Sequence, residues 1–276
     1  GAPAYDWTGF RAGQIRTLQS MLSDGDTKSP VLTRESLELL GTSILAACDT
    51  RDGVADGILT DPRDCPFEPD DLQKCEENDG VDCVTTKQLT AIKAIYDAPI
   101  INGRRIFAGF PYGGEHNPGG WERWMVGPDG LTPSTKFAID FYQNFIFSDT
   151  HWDYRHYDFA NWKQDVAKVS AMLDATSTDL SEFKKIDGKI IFWHGWSDHL
   201  ITALGTVDYY DELTAADPDV DEYSRLYMLP GMSHCGGGAG PSQADWLEAI
   251  RAWVEDGKAP ERLESQQLYE LSLIHI

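Results

Sequence analysis

From Phe183 onward the chain alternates apolar runs with amphipathic stretches, an order that leaves few folds open. Ile190–Trp193 is a short run of β-branched and aromatic residues, the mark of a strand buried on both faces. Helical periodicity follows over Thr202–Leu213, then a second strand over Ser224–Leu229 and a second helix over Ala244–Glu255. This βαβα order predicts an α/β fold with parallel strands, because joining parallel neighbours takes a crossover about as long as a helix. The first strand runs into His194-Gly195-Trp196-Ser197-Asp198 and the second into Pro230-Gly231-Met232-Ser233-His234-Cys235. Ends of parallel strands share one rim of the sheet, so Asp198 and His234 are expected to converge there.

Before residue 180 the texture differs. Helical faces are expected at Arg11–Leu22 (Ile15, Leu18 and Leu22), in a segment capped by Thr33 (Leu37, Leu40 and Ile44), at Thr85–Tyr96, and at Asp165–Leu173. Asn102-Gly103 predicts a tight hairpin within Ile100–Phe107. Between Phe107 and Trp162 lie 15 of the 31 aromatic residues. That density suits a packed core for most of the rings and an apolar wall against a flat substrate for the rest. Residues 269–276 follow no pattern set by the preceding domain and are expected to be an artefactual tail.

The 45 acidic residues outnumber the 23 basic ones, giving a net charge of −22, a field that repels nucleic-acid phosphates and anionic membranes. No apolar run approaches the roughly 18 residues needed to span a bilayer. Neither nucleic acid nor membrane is therefore expected as a partner. Of the five cysteines, Cys48, Cys65, Cys75 and Cys83 cluster in a loop-like, Asp- and Gly-rich stretch, which fits a disulfide framework outside the cytosol. Cys235 is left over.

Two constellations carry chemistry. In Cys48…Ile58, Asp49, Asp52 and Asp56 fall at spacings of three and four, with Gly53 and Gly57 permitting tight turns. With the carbonyls of Val54 and Ile58 they predict a partial calcium shell of hard oxygen ligands, the alternative being a solvated acidic turn. Asp198 and His234, each after its own strand and in that order, match the acid and base of α/β-hydrolases. In that role the imidazole takes a proton from a serine hydroxyl while the buried acid fixes its tautomer. A nucleophile on a G-x-S-x-G turn should precede both, and the sequence contains none: Ser43 falls within a predicted helix, and Ser197 and Ser233 adjoin the acid and base themselves.

Four features together resemble the tannase and feruloyl esterase family: Gly1-Ala2-Pro3-Ala4, the Cys48…Ile58 loop, His194-Gly195-x-x-Asp198, and Gly231-Met232-Ser233-His234-Cys235. The resemblance implies an α/β-hydrolase core carrying a large calcium-binding lid. Residues 1–4 would end a core strand, 5–178 form the lid and 179–268 the C-terminal core elements. It implies a structural calcium ion on the acidic loop and disulfides Cys48–Cys65 and Cys75–Cys83. Cys235 would pair with a cysteine beside the nucleophilic serine, upstream of Gly1. His194 would line the acyl pocket, and Ile201 would contact a substrate ring. The expected activity is serine hydrolysis of aromatic (feruloyl- or galloyl-type) esters by a secreted or periplasmic enzyme, with this stretch lacking the nucleophile and inactive alone. A non-enzymatic extracellular calcium-binding module and another α/β-hydrolase, such as a peptidase, are the alternatives.

Overall fold

A computed structural model describes residues 1–22, 30–75, 82–127 and 132–267. The tail at 269–276 lies outside the described residues.

Helix α1 (Trp7–Ser20) starts four residues before the sequence pattern predicts, because the Asp6 carboxylate accepts the Gly9 N–H at 2.8 Å and caps it. Its Ala12, Ile15 and Leu18 are buried. Helix α2 (Arg34–Cys48) opens on a reciprocal cap between Thr33 and Ser36, and helix α3 (Thr86–Tyr96) on one between Thr85 and Gln88. Leu37, Leu40 and Ile44 of α2 and Leu89, Ile92 and Ile95 of α3 point inward, the spacing that put them on one face. The short antiparallel pair β1 (Ile100–Ile101) and β2 (Arg104–Arg105) turns at Asn102 and Gly103, with φ of +51° and +77°. Helix α4 (Pro133–Phe141) continues into a π-helical turn, Tyr142–Ile146, and α5 (Trp162–Leu173) follows. Helix α1 packs against α3, α4 and α5. Phe107, Phe110, Trp121, Phe141, Tyr142, Tyr154, Phe159 and Trp162 are all buried, so most of the aromatic-rich stretch is core.

After the short α6 (Ser181–Lys185) come β3 (Ile190–Gly195), α7 (Ala203–Ala216), β4 (Ser224–Leu229) and α8 (Trp246–Asp256). β3 and β4 pair in parallel, from Ile190 opposite Ser224 to Gly195 opposite Leu229. Successive side chains alternate across a sheet. Phe192 accordingly packs with Tyr209 and Leu213 of α7, while Trp193 stacks on Trp246 of α8 at 4.6 Å, so the helices cover opposite faces. Ile190 N–H donates to the Tyr223 carbonyl and Trp196 N–H to that of Leu229, which turns the even-numbered backbone groups of β3 toward β4. On the other edge the Ala2 N–H donates to the Trp193 carbonyl at 2.9 Å. The α/β class is therefore present.

The calcium expectation is not met. Among the described residues no group of three or more His, Cys, Asp or Glu side chains is placed to hold a metal ion. Within the acidic loop the carboxylates are spent on their own chain. Asp49 Oδ1 accepts the N–H groups of Asp56 (3.3 Å) and Gly57 (2.8 Å), and Asp52 accepts the N–H of Val54 (2.9 Å) and the Thr60 hydroxyl (2.5 Å). Asp56 accepts the N–H of Ile58 at 3.1 Å. The five residues expected to surround a cation instead cap a turn, which is the local use of Asp that competes with ligation. Neither a calcium-binding lid nor a calcium cofactor is supported. Cys48 is bonded to Cys65 and Cys75 to Cys83, while Cys235 is free and exposed.

Candidate active site

The loop after β3 is held against the loop after β4 by backbone contact. Ser197 N–H donates to the Met232 carbonyl at 3.1 Å. A Cβ on Gly195 would sit 2.1 Å from that same carbonyl oxygen, so only glycine lets the two strand ends approach this closely. The β4 loop folds back on itself through a Met232–Gly238 bridge and a bond from Ser233 N–H to the Gly237 carbonyl.

These contacts bring together three of the residues singled out in the sequence. Asp198 is fully buried. Its Oδ2 accepts from His234 Nδ1 at 2.8 Å and lies 3.2 Å from His194 Nε2; its Oδ1 accepts the backbone N–H groups of Leu200 and Ile201 at 2.9 and 2.8 Å. Burial alone would raise the carboxyl pKa, but the hydrogen bonds from His194 and His234 outweigh it and lower it to about 2. The acid is thus a fixed anion. His234 keeps 24% of its side chain exposed, so the imidazole bridges buried acid and solvent. With Nδ1–H given to Asp198, its Nε2 is left as the basic nitrogen.

Trp124, half-buried in the helical half of the chain, stands edge-to-face against His234 at 5.9 Å and 79°. It lies 110 positions away in sequence, and the aromatic richness of its neighbourhood was the only signal that could have pointed to it. His194 is fully buried, with both ring nitrogens engaged: Nδ1 meets Thr206 Oγ1 at 2.7 Å, and Nε2 also meets the Ile201 carbonyl at 3.0 Å. It sits behind the acid, not on an open wall. Ile201 closes the acid loop through its backbone and also lines a cavity of about 430 Å³, with Phe10, Phe107 and Tyr209. Asp198 and His234 do not line that cavity. Neither Ser197 nor Ser233 is hydrogen-bonded to His234. Cys235 Sγ lies 3.8 Å from both of its ring nitrogens and so aligns with neither. The neighbouring His199 is buried, and burial depresses its pKa to about 4 against the pull of Asp198 and of the Gly113 backbone.

Asp198 and His234 thus place a buried carboxylate and a part-exposed imidazole together at the rim of the parallel pair. The profile described as "Tannase and feruloyl esterase" matches residues 1–272, and the chain belongs to that family. It is 32% identical to an uncharacterized esterase of Xanthomonas campestris pv. campestris, over 87% of this chain and 49% of that protein. Identity is also 32% to the mono(2-hydroxyethyl) terephthalate hydrolase of Piscinibacter sakaiensis, over 93% of this chain and 47% of the relative. Feruloyl esterase B from Aspergillus oryzae superposes with a TM-score of 0.85 at 24% identity, covering 98% of this chain and 56% of that one, a likeness of fold. The chain spans about half the length of the curated relatives it matches. Two disulfides and family membership are consistent with an extracytoplasmic protein. Among the described residues no helix is long and apolar enough to cross a membrane.

Proposed function

We propose that this chain carries the acid and base of a serine carboxylic ester hydrolase acting on aromatic, feruloyl- or galloyl-type esters, secreted or periplasmic. The reading rests chiefly on one observation: the 2.8 Å contact between buried Asp198 and half-open His234, with the ring of Trp124 against the imidazole. His234 Nε2 would take the proton of a serine hydroxyl as its oxygen adds to the ester carbonyl. It would then give that proton to the departing alcohol, leaving an acyl-serine. Water, deprotonated by the same nitrogen, would release the aromatic acid and regenerate the serine. Asp198 would hold the imidazole's orientation and stabilise the imidazolium between these steps. The serine is supplied, in this reading, by a segment outside these 276 residues, and the stretch alone does not turn over. Trp124 would form part of the wall against the aromatic acyl group, and Ile201 would reach it from the acid loop.

Two samples test this: the 276-residue chain alone, and the same chain joined behind the N-terminal half of the Xanthomonas relative. Both are assayed with methyl ferulate and methyl gallate. Turnover is expected only in the joined protein, and His234→Ala should abolish it. Turnover by the chain alone that is lost in His234→Ala would overturn the claim that the serine lies elsewhere. Turnover of the joined protein that survives His234→Ala would overturn the assignment of the base.

A further inference from the structure

The acid has more partners than orienting one imidazole requires. We infer that His194 and Thr206 are positioning residues for Asp198, a buried relay in which Thr206 donates to His194 Nδ1 and His194 donates through Nε2 to the carboxylate that orients His234. The inference rests on the reading of Asp198 and His234 as acid and base.

The tautomer of His194 follows from its neighbours. Nε2 faces two groups that can only accept, the ionised carboxylate of Asp198 at 3.2 Å and the carbonyl of Ile201 at 3.0 Å. Nε2 must therefore carry the hydrogen, shared between them. Nδ1 has one neighbour, the Thr206 hydroxyl at 2.7 Å, and Thr206 is 1% exposed. A hydroxyl can donate to the bare nitrogen, and this assignment leaves no polar atom of either side chain orphaned.

The effect falls on Asp198. A carboxylate has about four lone-pair directions. Those of Asp198 receive four N–H groups, from Leu200 and Ile201 on one oxygen and from His194 and His234 on the other. Rotating the carboxylate would break several of these bonds at once. His194 stands on strand β3 and Thr206 on helix α7, two packed elements, so a loop residue is clamped from regular structure. A histidine that merely filled space could have used the Ile201 carbonyl alone.

The test uses the ¹⁵N-labelled 276-residue chain and long-range ¹H–¹⁵N correlation of its imidazoles at neutral pH. Wild-type His194 should carry its proton on Nε2 with a bare Nδ1, and His234 should show a downfield, exchange-protected Nδ1–H. In His194→Gln, whose amide nitrogen reaches the Nε2 position, the His234 resonance should persist. In His194→Leu it should be lost. Thr206→Val should move the His194 Nδ1 resonance toward that of an unbonded lone pair, and Thr206→Ser should restore it. A wild-type proton on Nδ1 of His194, or a His234 resonance equally strong in the Leu and Gln variants, would overturn the relay. Should His194→Leu fail to fold, judged by far-ultraviolet circular dichroism, the wild-type tautomer and the Thr206 pair decide the matter. None of these readouts needs turnover. A failed ester assay with these tautomers found would remove the proposed function and leave the relay standing.

Discussion

Asp198→Asn is the sharpest single perturbation of the site. The amide can keep its oxygen toward the N–H groups of Leu200 and Ile201, the two bonds that shape the loop. Its NH₂ then faces His234 Nδ1–H and His194 Nε2–H, donors against a donor, where the carboxylate had accepted from both. Two hydrogen bonds to a charged group are lost, each worth about 1.5–3 kcal/mol. His194 retains the Ile201 carbonyl. His234 can recover one neutral bond of about 1 kcal/mol by moving its proton to Nε2 and accepting at Nδ1. The net loss is about 2–5 kcal/mol, or roughly 4–9 °C in melting temperature for a chain of this size. Urea unfolding followed by tryptophan fluorescence gives the first quantity, and imidazole ¹⁵N shifts give the tautomer. The flipped tautomer also puts a hydrogen on the nitrogen proposed to act as base, so on that reading activity in the joined protein should fall with stability. A loss under about 1 kcal/mol with the His234 proton still on Nδ1 would refute the argument, since it would mean the carboxylate was not holding either ring.

Acid should erase part of the same effect. The Asp198 carboxyl is lowered to about 2, below its unfolded value, so its contribution is fully present above about pH 4 and is lost as pH falls through about 2. The stability gap between wild type and Asp198→Asn should therefore narrow by about 2 kcal/mol over that window; a gap that stays constant would contradict the assignment. Thr33→Ala removes one half of the α2 cap and should cost about 1 kcal/mol in urea unfolding. Gly195→Ala must push the β3 and β4 loops apart, because its Cβ meets backbone rather than a side chain. It should cost about 1–3 kcal/mol and broaden the His234 Nδ1–H resonance, whereas an unchanged resonance would show that the two loops move independently.

The parallel pair was legible from the alternation of short apolar-rich runs with helical periodicity, and Ile190–Trp193 and Ser224–Leu229 fall on β3 and β4. The helix starts at Thr33 and Thr85 were legible because a threonine stands just before the apolar periodicity there, whereas at α1 the Asp6 cap lies ahead of the first apolar-periodic residues. Directions of side chains were not. Asp49, Asp52 and Asp56 have a spacing that serves a cation or a set of capped turns equally well, and only the aim of each carboxylate separates the two. Trp124 and Thr206 were missed for a different reason. Each acquires its role from a contact across the fold, with His234 and His194 respectively, and no local pattern records such a contact. His194 is expected from resemblance on a pocket wall, and neither its contact with Asp198 nor its full burial is recorded in the local sequence.

The helical half of the chain touches the site at more than one point, and the points have different consequences. Trp124 meets the His234 ring. The Thr202 hydroxyl, at the start of α7, donates to the Gly109 carbonyl at 2.5 Å. Arg105 pairs with Asp208 of α7 at 2.6 Å, and a Cβ on Gly114 would press on Ser197 at 3.1 Å. Thr202 directly follows Ile201, whose N–H and carbonyl hold Asp198 and His194. A change near Gly109 thus reaches the carboxylate through two peptide units, while a change at Trp124 alters the surface an acyl group would meet. If the helical half only selected substrates, substitutions there would move KM alone. The bond from Thr202 to Gly109 instead makes that half part of the frame on which the acid is hung. In the joined protein, if the proposed ester hydrolysis holds, variants along 105–114 should therefore move kcat together with KM, and those at Trp124 chiefly KM.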